Sequence, residues 1–64
     1  MDILQMLQKA IQDEQASEAL YRRWAEEAQD AESRAVFEAM AQDERRHQEV
    51  LREKLLALKL KRQR

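Results

Sequence analysis

Neither glycine nor proline occurs among the 64 residues, and this double absence constrains the fold more than any motif does. Glycine supplies the positive-φ positions of most tight turns, and proline interrupts helices. A chain that has neither, and in which 39% of residues are charged, is most economically read as nearly all helix. Its apolar residues must then gather on stripes with helical spacing.

Two such stripes are present. The first runs Leu4, Leu7, Ile11, Tyr21, Ala25 and Ala28 at spacings of three and four, and Glu14 and Glu18 fill the gap between Ile11 and Tyr21 at the same spacing. Asp2 is a candidate N-cap with Gln5 three residues on, a weak capping box. The second stripe reads Phe37, Met40, Glu44, His47, Leu51, Leu55 and Leu58, a single buried seam. Between them QDAES, residues 29 to 33, is the best break. Asp30 can cap a new helix and Glu32 suits its first turn, whereas Glu26, Glu27 and Asp30 oppose the dipole at the end of the first. The expectation is one all-α domain over 1–64, with helices over about 2–29 and 31–61. So short a connection makes them an antiparallel hairpin. A lone hairpin leaves half of each seam uncovered, and a second copy completes a four-helix bundle as a homodimer.

Composition narrows the function. At 64 residues the chain forms one domain with a thin core, a size at which metals or partners often supply stability. The absence of cysteine excludes disulfides, thiolate metal sites and redox dithiols, and agrees with a reducing compartment. Residues 1 to 20 show no basic leader followed by an apolar run, and no apolar stretch is long enough to cross a bilayer. The net charge of −1 is unevenly spread: residues 1 to 44 hold 11 acids against 4 bases, and residues 45 to 64 hold 8 bases against 2 acids. The tail KLKRQR suits a helix C-terminus, where cations offset the macrodipole. It lacks the interleaved aromatics of a nucleic-acid surface, so nucleic acid is not an expected partner.

Chemistry concentrates in the seams. With the bend near residue 30, and a rise of roughly 1.5 Å per residue, Glu14 and His47 stand level across the hairpin and Glu44 lies within about one turn. Residues three apart share a helix face, so Glu44 and His47 reach the same small volume. Ionisable groups gathered in a core need compensation. A metal supplies it, since carboxylates with a neutral imidazole suit iron, manganese or zinc. A two-fold axis would double the set to four carboxylates and two imidazoles around two ions, the inventory of di-iron carboxylate bundles. The other reading is a polar core network, with Glu14 or Glu18 paired to an arginine and the chain acting as a non-enzymatic oligomerisation or interaction module.

Glu14, Tyr21, Trp24-Ala25, Ala28, Phe37, Ala41, Glu44 and His47 together resemble one half of a rubrerythrin-like ferritin domain over about residues 10 to 55. The resemblance is nearest to the encapsulated ferritins and other half-ferritins, whose single hairpins complete a di-iron site across a dimer. It implies a ferroxidase-type oxidation of Fe(II) by dioxygen or peroxide, two iron ions per dimer, and a cytoplasmic protein that works free, in a higher oligomer or inside an encapsulin shell. By the same resemblance Glu14 and His47 are terminal ligands and Glu44 bridges the metals. Glu18, Tyr21 and Asp43 stand as outer groups: Tyr21 is either a redox-active aromatic or a core tyrosine, and Asp43 either reaches the free ring nitrogen of His47 or is solvated. Trp24 is read as packing. The chain departs from rubrerythrins proper in lacking the cysteines of a rubredoxin-like part, and KLKRQR does not match a shell-targeting peptide.

Overall fold

The computed structural model describes residues 1–63. Two helices, α1 (Ile3–Glu27) and α2 (Ala31–Arg62), form an all-α hairpin with extents of 52 × 18 × 10 Å. The molecule is thus one helix layer thick.

Each helix starts where a side chain satisfies its orphan amides. Asp2 caps α1 by accepting from the Gln5 amide at 2.9 Å, while the Gln5 side chain accepts from the Asp2 amide at 3.0 Å, a complete capping box. Asp30 caps α2 by accepting from the Ser33 amide at 2.7 Å, and that hydrogen bond holds its carboxyl below the ordinary value. Between the helices Ala28 turns extended at φ −64° and ψ 132°, donates its N–H to Trp24 O at 2.9 Å, and accepts from the Arg34 guanidinium at 3.2 Å. No described residue takes a positive φ, so this bend needs no glycine. Lys59, Lys61 and Arg62 occupy the last turn of α2, where the helix dipole favours cations. Among the described residues no helix is long and apolar enough to cross a membrane.

Along α1 every residue of the 3-4 repeat from Leu4 to Ala28, Glu14 and Glu18 included, is buried or half-buried. On α2 the structure corrects the seam. The line that faces α1 is Phe37, Ala41, Glu44, Gln48, Leu51, Leu55 and Leu58, while His47 is exposed. Spacing puts Met40 and His47 where Ala41 and Gln48 in fact lie deepest; both choices obey three-four spacing and share Phe37, Glu44, Leu51, Leu55 and Leu58, so they part only at these two positions. Ala25 and Ala41 are small enough to let the helices close together, and Ile11 completes the buried apolar set. Near the bend, Trp24 packs edge-on against Tyr21 and Phe37, with ring centroids 5.7 Å apart in both pairs.

A candidate metal centre between the two helices

The site lies midway along the hairpin, at Glu14 on α1 and at Glu44 and His47 on α2. Each offers one donor atom, and the three donors lie within 4.8 Å of one another. The Nδ1 of His47 is 3.1 Å from Glu14 Oε2 and 4.0 Å from Glu44 Oε1. The imidazole therefore turns Nδ1 inward and leaves Nε2 to the outside. Side-chain exposure rises from 20% at Glu44 through 27% at Glu14 to 59% at His47. The carboxylates are sheltered and the imidazole stands at the mouth.

The electrostatics of this group favour a cation. Hydrogen bonding with the adjacent Glu14 carboxyl, then burial, then the Glu14 charge hold Glu44 above the ordinary carboxylate value, with His47 pulling the other way. Two carboxyl groups crowded into one small volume are relieved by a positive charge between them. A divalent ion supplies that charge, and two carboxylate oxygens with one imidazole nitrogen form a donor set for iron, manganese or zinc. The residues present fit such an ion on their own chemistry.

The remaining residues singled out by spacing are placed around this centre. Glu18, one turn beyond Glu14, lies outside the donor group. Its carboxylate accepts from Gln48 Nε2 at 2.8 Å and from Arg22 Nε at 2.9 Å, with Arg45 at 4.0 Å. Those hydrogen bonds, Gln48 first, hold its pKa below the ordinary value against a desolvation cost. Tyr21 lies half-buried about two turns along α1 from Glu14, its ring against Trp24. Asp43 is engaged by Arg46 at the exposed surface of α2, while His47 turns its Nδ1 to Glu14. Gln48 is the residue that spacing missed. It is fully buried, it bonds across the hairpin to Glu18, and its carbonyl faces Arg52 Nη1 at 3.5 Å. The signal for it was the seven-residue interval from Ala41 to Gln48 to Leu55.

An antiparallel helical pair that carries Glu on one helix and Glu-x-x-His on the other, donors converging, defines a helical carboxylate–histidine protein of ferritin-like type. The chain belongs to the rubrerythrin family, whose family model (Rubrerythrin) matches residues 5–64. Iron binding is typical of that family. Comparison with curated proteins and with solved structures gave no match.

Proposed function

We propose that two copies of the hairpin pair face to face and bind iron between them, and that the protein oxidises Fe(II) with dioxygen or peroxide. The convergence of Glu14, Glu44 and His47 within 4.8 Å carries this reading. A bound iron supplies the one-electron chemistry. What this chain's residues do follows from their positions. Glu14 and His47 would each hold one ion, and Glu44, the most sheltered of the three, would reach both. To hold an ion both carboxyl groups would be ionised, and His47 would offer the Nδ1 lone pair in its Nε2–H tautomer.

Pairing is supported by what the single hairpin leaves uncovered. One face carries Ile3, Met6, Ala10, Ser17 and Trp24 on α1, and Val36, Met40, His47 and Val50 on α2, each line at three-four spacing or its multiples. Ile3, Met6, Trp24, Val36 and Val50 are exposed there as large apolar side chains. Ser17, the small polar member of the line, lies level with the site. The opposite face bears Arg22, Arg45, Arg52 and Glu49. A second copy laid on the apolar face would cover His47 as well. Charge favours one orientation. The bend end carries Glu26, Glu27, Asp30 and Glu32, and the open end carries Lys9, Lys59, Lys61 and Arg62. A two-fold axis across the long dimension sets each acidic bend against a basic open end. Because Glu14 and His47 lie near the middles of their helices, the same axis brings the two donor groups together.

The test is an anaerobic Fe(II) titration followed by addition of oxygen. Saturation near one iron per chain with oxygen-dependent ultraviolet absorbance is expected. No binding, or unchanged binding in Glu44→Ala, would sink the reading. The Glu18–Gln48 hydrogen bond favours a second reading, a metal-free interaction module whose polar core sets register. It predicts the same melting midpoint with and without chelator.

A further inference from the structure

Three carboxylates project into the middle of this hairpin, yet only two of them face the metal donors. Glu14, Glu18 and Glu44 all lie on the seam and all are half-buried. Glu18 follows Glu14 by four residues, so its Cβ stands one turn away on the same helix face. A glutamate side chain at that distance can reach a neighbouring metal. It does not join the group formed by Glu14, Glu44 and His47. Its oxygens are taken up instead by Gln48 Nε2 at 2.8 Å and Arg22 Nη2 at 2.8 Å, with Arg45 at 4.0 Å.

Of these partners Gln48 is the buried one, fixed in place by the core around it. Arg22 bonds the same carboxylate through Nε at 2.9 Å and Nη2 at 2.8 Å and Arg45 stands at 4.0 Å, but both are exposed side chains that can follow the carboxylate if it moves. Gln48 occupies the deepest position of α2, at 0% exposure, where the heptad spacing calls for an apolar residue. A buried amide costs free energy unless its hydrogen bonds are made, and its donor bond is to Glu18. It also sits directly after His47 and one turn beyond Glu44, so it can act on the site without touching it.

We infer that Gln48 is a positioning residue that withholds Glu18 from the metal centre and so keeps each chain's contribution at three donors. This rests on the reading of Glu14, Glu44 and His47 as a metal site. The consequence is specific. A third carboxylate from each chain would add negative charge and fill coordination positions, which tightens the hold on a divalent ion and leaves less room for an oxidant. With Glu18 held away, those positions stay open.

Competition titrations with Co(II) alone test this on four full-length proteins: wild type, Gln48→Met, Glu18→Gln and the double variant. Methionine keeps the unbranched shape of glutamine, and circular dichroism checks that the helices persist. In Gln48→Met the Co(II) affinity should rise about tenfold, within the span that outer-shell changes produce. Its visible absorption should weaken as coordination number increases. Glu18→Gln alone should bind as wild type does. The double variant should return to wild-type affinity and spectrum, because no carboxylate remains to swing in. Unchanged or weaker binding in Gln48→Met overturns the inference, as does a gain that survives in the double variant. Weaker binding by Glu18→Gln alone also overturns it, since Glu18 would then already be a ligand, and that measurement does not depend on how Gln48→Met folds. If wild type binds no Co(II), the metal reading itself has failed, and this inference falls with it.

Discussion

Replacing Glu44 by glutamine should strengthen the metal-free protein and weaken the loaded one. The two carboxyl groups of Glu14 and Glu44 contribute donors within 4.8 Å. At that separation two full charges repel by about 1 kcal/mol in a water-like medium and by about 3.5 kcal/mol at an effective dielectric of 20. Both side chains keep partial contact with solvent, 20% and 27%, so the lower part of that range applies, about 1–2 kcal/mol. Glutamine keeps the volume and can donate to the Glu14 carboxylate. For a domain of this size 1 kcal/mol moves the melting midpoint by about 4–8 °C. At neutral pH and with chelator, Glu44→Gln should therefore melt about 5 °C or more above wild type at equal protein concentration. With a divalent ion present the order should reverse. An ion at about 100 times its dissociation constant adds about 2.7 kcal/mol to a protein that binds it only when folded, and the variant forfeits most of that. Thermal melts followed by circular dichroism, with chelator and with Zn(II) or anaerobic Fe(II), read both halves. A chelated variant that melts below wild type, or a variant that keeps the full metal-induced rise, refutes the reasoning.

Two further outcomes follow from the same geometry. Glu44 is held above the ordinary carboxylate value of 4.5 and Glu18 below it. The folded state therefore binds more protons than the unfolded one as pH rises from about 4.5 through the raised value of Glu44, and stability falls across that window. The Glu18 contribution is present above about 4.5 and is lost as pH falls through its lowered value. Urea melts of the metal-free protein should decline on both sides, and the decline on the alkaline side should be missing in Glu44→Gln. Val50, exposed on the apolar face, tests the pairing: light scattering should give twice the chain mass for wild type, and a Val50→Lys protein should shift to a single chain and melt lower. Unchanged mass in that variant would place the interface elsewhere.

The hairpin was legible in the sequence because its signals agree at every level. The 3-4 repeat from Leu4 to Ala28 continues through Glu14 and Glu18 without a break, and the structure turns every one of those residues inward. The bend is readable from Asp30 and Glu32 rather than from glycine. What spacing alone leaves open is which member of two adjacent pairs on α2 lies deepest. Met40 with His47 and Ala41 with Gln48 satisfy the same periodicity, and hydrophobicity alone prefers the bulky methionine over alanine as the core member. Packing decides otherwise, because the closest approach of two helices selects the small side chain. The convergence of Glu14, Glu44 and His47 survives the exchange, because Glu44 belongs to both lines and the imidazole is long enough to reach inward from the flank. The Glu18–Gln48 bond is harder to read, since among several glutamines on a charged helix only the Ala41–Gln48–Leu55 interval marks Gln48 as inward.

The ends of the hairpin have a consequence for how such a half could be joined into one chain. Arg62 Nη1 lies 3.8 Å from Asp2 Oδ2, so the first and last turns stand side by side. In the antiparallel pairing proposed above, the start of one copy and the finish of the other then sit at opposite ends of the bundle. A covalent tandem of the two could not use a short loop. Its linker would have to travel the 52 Å length, about 15 residues of extended chain, along the outside of the bundle. A tandem with a linker of roughly five residues should instead pair with other molecules into chains or closed rings, each link carrying a complete four-helix unit, whereas a linker of about 20 residues should give a compact monomer of the same helix content.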